Sequence, residues 1–261
     1  MTLNEIKELI NDVQIVVKDA IQALKSYNYE DLIQNSYSKD NNREMKAKVD
    51  LILNQLILNK LKKTGISILS EEDCVSEQEK TSSLYRFIVD PLDGTVNFVR
   101  RLGPSAISIA LFEGSTPIFG VIGNITSEEI FWGGRDIGSY CDNNKISVSN
   151  NTILSEAVLC SGFPSRFENN DKKKLIEYSN FMSQFGKVRM VGAASISLTY
   201  VARGFAEFYL EDNIMIWDVA AGLAIVEGAG GVISYNNGSF NNSLIIQASN
   251  GKIILDKGYM K

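Results

Sequence analysis

A strand leads into a carboxylate-bearing turn at residues 85–98, which read YRFIVDPLDGTVNF. The apolar run at its start is typical of a short buried strand, and Pro91 is expected to stop the hydrogen-bond ladder there. The carboxylates of Asp90 and Asp93 and the carbonyl oxygen of Leu92 could then converge on one hard cation. Oxygen-only ligation of this kind suits Mg²⁺, which shares its coordination sphere with waters and phosphate oxygens.

The next two residues of this stretch, Gly94 and Thr95, favour a tight turn followed by a short helix. Their amides would then present hydrogen-bond donors and the positive end of a helix dipole to a phosphate group. Taken alone, the same pattern also fits an ordinary proline turn with a helix cap. Other acidic positions therefore have to decide between the two readings.

Acidic residues follow two further apolar segments. Glu71 and Glu72 come after the predicted strand ISIL, and Asp218 comes between IMIW and the apolar helix VAAGLAIVEGAG. Each position has an ordinary explanation, as an exposed turn for the glutamates and as a helix N-cap for Asp218. Together with the first turn, they indicate several carboxylates placed at the ends of elements, where a metal could bind.

Composition excludes several classes of function. The 261 residues contain no histidine, which rules out Ser-His-Asp and Cys-His nucleophile systems, histidine phosphatases and imidazole zinc sites. The net charge of −5 argues against a nucleic-acid polymer as partner. Three separated cysteines, an N-terminus unlike a signal peptide and the lack of a long apolar run predict a cytoplasmic chain with reduced thiols and no membrane contact.

The order of patterns predicts an α/β protein with mixed, largely antiparallel sheets and helix layers on their faces. Helical spacing of apolar residues predicts a long first helix, then a polar turn or loop at 35–44 and a second helix over about 44–63. Antiparallel strands are expected over 105–149, and strands alternating with helices thereafter. We expect a single domain over 1–261, with a metal-binding half at about 1–150 and an α/β half at about 151–261.

Three segments together resemble the signatures of the inositol monophosphatase family. They are SEED at 70–73, DPLDGTVNF at 90–98 and WDVAAGLAIVEGAGG at 217–231, and the similarity extends from about Ile33 to Asn250. The resemblance implies a layered α/β/α/β/α sandwich, two or three Mg²⁺ ions, lithium sensitivity and a homodimer. It also implies hydrolysis of a small phosphate monoester, such as inositol monophosphate or a related sugar phosphate.

The resemblance assigns roles by position. The positions that match metal ligands are Glu71, Asp90, the carbonyl of Leu92, Asp93 and Asp218. The positions that match catalytic residues are Asp50, Thr95 and Glu71, with Asp50 and Thr95 acting on the attacking water. The positions that match substrate contacts are Asp93, Gly94, Thr95, Gly192, Ala194, Glu211 and Asp218. Lys39 matches the lysine of a mobile loop, and Glu72 is expected in the surroundings of the metal ligands.

Two departures from the family pattern lie close to this site. Ala47 replaces a threonine that usually supports Asp50, and Ser70 replaces the glycine that usually precedes the two glutamates. The segment around Ala47 also carries extra positive charge, with Lys46 and Lys48 on either side.

Three alternatives stay open. Ser70–Asp73 and Ile216–Asp218 resemble the branch that hydrolyses phosphoadenosine phosphate, a 3′(2′),5′-bisphosphate nucleotidase, whereas Val96–Phe98 favours the inositol and sugar phosphatases. A haloacid-dehalogenase-like phosphatase fits less well, because its two aspartates are separated by one residue and the first is a nucleophile. The third alternative is a metal-binding homologue without catalytic activity, which the replacement at Ala47 keeps open.

Overall fold

The computed structural model describes residues 1–37, 45–73, 84–163 and 172–253, with the side chains of 35–37 left out. Within these ranges, seven α-helices are present. They are α1 (Leu3–Leu24), α2 (Tyr29–Leu32), α3 (Lys48–Leu61), α4 (Thr95–Arg100), α5 (Lys172–Met182), α6 (Ala194–Ala202) and α7 (Ile216–Gly228). Two short 3₁₀ turns lie at Lys62–Thr64 and Leu154–Glu156.

The first large sheet has seven strands in sequence order. They are β3 (Ser67–Ser70), β4 (Tyr85–Asp93), β5 (Ala106–Glu113), β6 (Thr116–Asn124), β7 (Ile130–Gly134), β8 (Gly138–Cys141) and β9 (Asn144–Ile146). Strands β3 and β4 run parallel, and every later pair is antiparallel. The antiparallel run predicted over 105–149 is therefore confirmed.

The second large sheet has five strands in the order β11-β10-β12-β14-β13. They are β10 (Val158–Ser161), β11 (Lys187–Arg189), β12 (Phe208–Met215), β13 (Val232–Asn237) and β14 (Ser243–Ser249). The first three run parallel to one another, and β14 pairs antiparallel with both of its neighbours. A separate antiparallel pair joins β1 (Asn35–Tyr37) to β2 (Met45–Ala47).

Five layers follow from the packing of these elements. Helices α1 and α3 cover one face of the first sheet, α6 and α7 lie between the two sheets, and α5 covers the outer face of the second. Side chains along β4 alternate between the two faces of the first sheet, so this strand packs against two layers. Phe87 and Val89 pack with the α1 and α3 layer, whereas Ile88 packs with the central helices. The predicted α/β/α/β/α sandwich is thus confirmed.

The central helix α7 approaches the first sheet closely. A Cβ atom at Gly120 of β6 would collide with the backbone of Ala221, so only glycine fits at this position. Gly222 of α7 lies on a different face and packs against Leu198 of α6. The close approach at Gly120 brings the start of α7 against the strands that carry the acidic turn.

Several local predictions were wrong. The second helix begins at Lys48 rather than near residue 44, because Met45–Ala47 extends and pairs with Asn35–Tyr37, part of the stretch expected to be a loop. Pro91 does not end its strand, since β4 continues to Asp93 across a shift in register between Asp90 and Asp93. Among the described helices, none is long and apolar enough to span a membrane.

Candidate active site

Parallel pairing of β3 and β4 brings two acidic positions to the same edge of the first sheet. Ser70 pairs with Val89, and the backbone N–H of Glu71 donates to the carbonyl oxygen of Val89 at 3.1 Å. Glu71 thus leaves β3 at the level where β4 reaches Asp90. Because neighbouring parallel strands end at a common edge, residues well separated in sequence meet there.

Asp218 joins this pair from the central helix layer. It lies in the first turn of α7, two residues beyond Ile216, and is therefore not the N-cap. The hydroxyl of Ser108 on β5 donates to the carbonyl oxygen of Trp217 at 3.2 Å, which fixes the start of the helix on the sheet. Carboxylate oxygens of Glu71, Asp90 and Asp218 all lie within 4.8 Å of one another.

The surroundings of these three carboxylates oppose their ionisation. Burial raises the pKa of Glu71 to about 8 and the pKa values of Asp90 and Asp218 well above their usual range. Like charge is the next cause for each of the three, and Asp90 and Asp218 share a hydrogen bond that needs a proton on one of them. An oxygen-only group of this kind, short of positive charge, fits a hard divalent cation.

Asp93 lies close to this group but is held by protein donors. Its Oδ2 accepts the backbone N–H of Ser195 at 2.7 Å and the Ser195 hydroxyl at 2.5 Å. Burial raises the pKa of Asp93 to about 6, and the bonds from Ser195 and from the amides of Ala194 and Gly94 oppose that rise. Asp93 therefore anchors the start of α6, while its charge also acts on Asp90 and Asp218.

Asp50 and Thr95 form a second feature beside the three carboxylates. Asp50 Oδ2 accepts the backbone N–H of Ala47 at 2.5 Å, and Oδ1 lies 3.1 Å from the Thr95 hydroxyl. The same hydroxyl lies 3.1 Å from the carbonyl oxygen of Leu92. Since the contact to residue 47 uses the backbone, an alanine there still orients Asp50. Burial is the main cause that raises the pKa of Asp50 to about 7.

The turn at Gly94 packs against Gly192 and Ala193, directly before Ala194 begins α6. Gly94 has φ 84°, and a Cβ there would lie 3.1 Å from Ala193 Cβ and 3.2 Å from the Gly192 carbonyl oxygen. Asn97, which the sequence analysis did not single out, ties these segments together. Its Nδ2 donates to the carbonyl oxygens of Pro104 and Val191 at 2.9 and 2.8 Å.

Glu211 lies on β12, on the side of the second sheet that faces Asp93. Its Oε2 accepts the Tyr209 hydroxyl at 2.5 Å, and the Gly162 amide also stabilises the carboxylate. Burial nevertheless raises the pKa of Glu211 to about 7, and the charge of Asp93 contributes to the rise. Tyr209 gave no signal in the sequence, because a buried tyrosine on a strand is ordinary core.

Both chain neighbours of Glu71, which are Ser70 and Glu72, bind side chains of other elements. Lys46 on β2 binds both carboxylate oxygens of Glu72, and the Ser70 hydroxyl donates to Asn54 Oδ1 on α3 at 2.7 Å. Ser70, a departure from the family pattern, is thus bound to the helix that carries Asp50. Lys39 lies outside the described residues.

The structure brings together Glu71, Asp90 and Asp218 of the five predicted metal ligands. The Leu92 carbonyl and Asp93 lie next to them and are hydrogen-bonded within the protein. Residues that the sequence analysis missed, Ser195, Asn97, Asn54 and Tyr209, hold the predicted ones in place. Of these, Asn97 lies inside the signature segment at 90–98 and Ser195 directly follows Ala194, which was the one signal available.

Comparisons with known proteins give a consistent assignment. A model of the inositol monophosphatase family matches residues 5–259. A fructose-1,6-bisphosphatase/inositol-1-monophosphatase of Aquifex aeolicus is 30% identical over 80% of this chain and 81% of its own length. An inositol-1-monophosphatase of Mesorhizobium japonicum is 34% identical over 67% of this chain and 65% of its own.

The fold agrees with these matches. The extragenic suppressor protein suhB of Bartonella henselae superimposes with a TM-score of 0.80 at 30% identity, over 94% of this chain and 95% of that one. The family match spans the carboxylate group and both sheets. The chain therefore belongs to the inositol monophosphatase family and is a phosphatase of that family.

Proposed function

We propose that the protein hydrolyses inositol monophosphate or a related sugar phosphate in a Mg²⁺-dependent reaction without a covalent enzyme intermediate. The observation that carries this proposal is the meeting of Glu71, Asp90 and Asp218 within 4.8 Å beside the Asp50–Thr95 pair. The three grouped carboxylates suit cations, and the Asp50–Thr95 pair suits a water molecule. Metal-assisted hydrolysis of a phosphate monoester by water uses both.

The metal would be held by Glu71, Asp90 and Asp218, with Asp93 and the Leu92 carbonyl as further ligands for two or three ions. When bound, Mg²⁺ neutralises phosphate charge, lowers the pKa of coordinated water and stabilises the entering and leaving oxygens. The residues fit this cation because all five offer oxygen donors. Burial and like charge also leave the three grouped carboxylates in need of a positive partner.

Asp50 would receive the proton of the attacking water, and Thr95 and Glu71 would help to position that water. A threonine hydroxyl carries one hydrogen, so Thr95 donates either to Asp50 or to the Leu92 carbonyl at any moment. With Leu92 used as a ligand, the hydroxyl would donate to Asp50 and leave its own lone pairs facing water. A carboxylate with a pKa of about 7 is suited to accept a proton near neutral pH.

The substrate would lie between the Gly94 turn and the second sheet. The amides of Gly94 and Thr95 would face the phosphate, the backbone of Gly192 and Ala194 would contact the rest of the molecule, and Asp93, Glu211 and Asp218 would accept its hydroxyl groups. A buried Glu211 already held by Tyr209 offers a fixed acceptor, as a polyol substrate requires. The Aquifex relative, named for both a bisphosphate and an inositol phosphate, supports this substrate class.

A phosphate-release assay with and without chelator tests the proposal. The panel holds inositol monophosphates, fructose 1,6-bisphosphate, histidinol phosphate and phosphoadenosine phosphate. Preference for the last would favour the nucleotidase, and no release from any would favour a homologue without catalytic activity. Trapping of an aspartyl-phosphate would contradict water attack.

We also propose a homodimer, on the strength of family membership. Static light scattering after size exclusion measures the mass directly. A mass near that of one chain across the concentration range would contradict it.

A further inference from the structure

Lys46 forms an ion pair that the family pattern does not anticipate. Its Nζ lies 3.0 and 3.1 Å from the two carboxylate oxygens of Glu72. The Glu72 side chain is only 6% exposed and that of Lys46 34% exposed, so the acidic partner is buried and the basic one is half-buried. A buried carboxylate bound through both oxygens has one preferred geometry.

The pair lies directly beside the proposed metal ligands. Glu72 follows Glu71 in the chain, and Lys46 lies four residues before Asp50, in the middle of β2. The charge of Glu72 acts unfavourably on both Glu71 and Asp50, and the charge of Lys46 acts favourably on both. Lys46 thus balances one negative charge in a region that otherwise collects like charges.

We propose that Lys46 is an internal counter-cation. Its ammonium group binds the carboxylate of Glu72 and keeps that carboxylate from binding divalent ions. Cation binding is thereby confined to the five ligands proposed above, with Glu71, Asp90 and Asp218 at their centre. In this arrangement Lys46 is a positioning residue for the reaction proposed above, on which the inference rests. It does not touch the reacting atoms.

The charge balance gives two opposite expectations. Removing the lysine charge leaves Glu72 buried and negative, which makes the metal-free protein less stable and draws Mg²⁺ more strongly. Removing the glutamate charge instead makes the net charge beside the site more positive by one unit, which repels Mg²⁺. A purely structural role for the pair would shift both variants in the same direction, because both lose the same contact.

Titration calorimetry with Mg²⁺ alone, on the full chain, measures affinity and stoichiometry. We expect Lys46→Met to bind Mg²⁺ about tenfold more tightly or to take up an additional ion, as one unit charge at short range in a partly solvated site implies. We expect Glu72→Gln to bind more weakly. Lys46→Arg keeps the charge and should bind like the wild type, and Lys48→Met removes an equal charge from an exposed position nearby.

Equal Mg²⁺ affinity and stoichiometry in Lys46→Met, Lys48→Met and the wild type would overturn the inference. If Lys46→Met does not fold, Glu72→Gln decides, since unchanged or tighter binding in that variant would equally overturn it. Failure of the proposed function looks different. In that case the wild type itself shows neither Mg²⁺ binding nor phosphate release.

Discussion

The hydroxyl of Thr95 lies 3.1 Å from Oδ1 of Asp50 and joins the first turns of two helices that are far apart in sequence. Asp50 belongs to α3, on the outer face of the first sheet, and Thr95 begins α4, directly after the acidic turn. The other Asp50 oxygen is held by the Ala47 amide. Asp50 therefore has a fixed direction, which a proton acceptor needs.

Loss of the Thr95 hydroxyl should slow turnover. Thr95→Val keeps the shape of the side chain and removes the donor to Asp50, so we expect kcat to fall by about a hundredfold, within the range usual for positioned proton transfer. The melting temperature should change little, because Thr95 is only partly buried. Steady-state phosphate release at saturating Mg²⁺ measures the change. Val96→Ala, at an exposed neighbour, serves as the control, and near-normal turnover in Thr95→Val would exclude the role.

The stability of the metal-free protein should fall as pH rises. The pKa values of Asp50, Glu71 and Glu211 are raised to about 7, about 8 and about 7, so the folded state keeps protons that the unfolded chain releases at lower pH. Their favourable contribution is complete below the unfolded pKa values and is lost as pH rises through the folded ones. Denaturant unfolding in chelator from about pH 5 to about pH 8 measures the slope.

Two further measurements check that these carboxylates cause the pH dependence of stability. Glu71→Gln should flatten the slope, because the variant has one carboxylate fewer to ionise on unfolding. Addition of Mg²⁺ should stabilise most at the upper end of the range, where protons compete least for the ligands. A metal-free stability that rises steadily across this range would contradict the burial of these groups.

Asp90→Asn should weaken stabilisation by Mg²⁺ without destabilising the metal-free protein. The amide oxygen can still accept the Leu92 N–H, which binds Asp90 Oδ1 at 2.9 Å, and the repulsion from Glu71 and Asp218 is removed. We therefore expect metal-free melts at or above the wild-type temperature and a much smaller increase on adding Mg²⁺. A large loss of stability in chelator would instead assign Asp90 a structural role.

Asp93→Asn should affect both activity and fold. The family resemblance makes Asp93 a metal ligand, and its carboxylate also accepts two donors from Ser195 at the start of α6. We expect activity to be abolished and the free energy of unfolding to fall by about 1–3 kcal/mol, as for a buried group that loses a charged partner. Ser195→Ala, which removes only the hydroxyl donor, should show a smaller loss. Full stability of Asp93→Asn would show that the anchor is dispensable.

Li⁺ should inhibit the enzyme, without competing with substrate, at concentrations where Na⁺ has little effect. Li⁺ is close to Mg²⁺ in size but carries half the charge, so it can fill an oxygen site beside product phosphate without replacing Mg²⁺ in activating water. Initial rates in LiCl and NaCl at matched ionic strength distinguish site occupancy from screening. Identical responses to the two salts would remove this prediction. Lys46→Met should increase sensitivity to Li⁺ if the lysine charge opposes cations at this site.

Local patterns determined much of what was predicted correctly. Helical spacing gave the long first helix, turn residues separated the antiparallel strands, and the lack of histidine limited the chemistry to carboxylates, hydroxyls and hard ions. These properties depend on residue type and short-range geometry, which neighbours in the chain already define. The same local reasoning failed at Met45–Ala47, because that segment forms a strand only through a partner at Asn35–Tyr37.

Only the tertiary structure decided which carboxylates meet and what holds them. Glu71 reaches Asp90 because β3 and β4 are parallel neighbours, and Asp218 reaches both because α7 is packed between the sheets. Side-chain partners such as Ser195 for Asp93 and Lys46 for Glu72 depend on the same long-range packing. The type and spacing of residues decide which face of a helix or strand they share. The order of the strands and the packing of the layers decide which residues lie opposite that face.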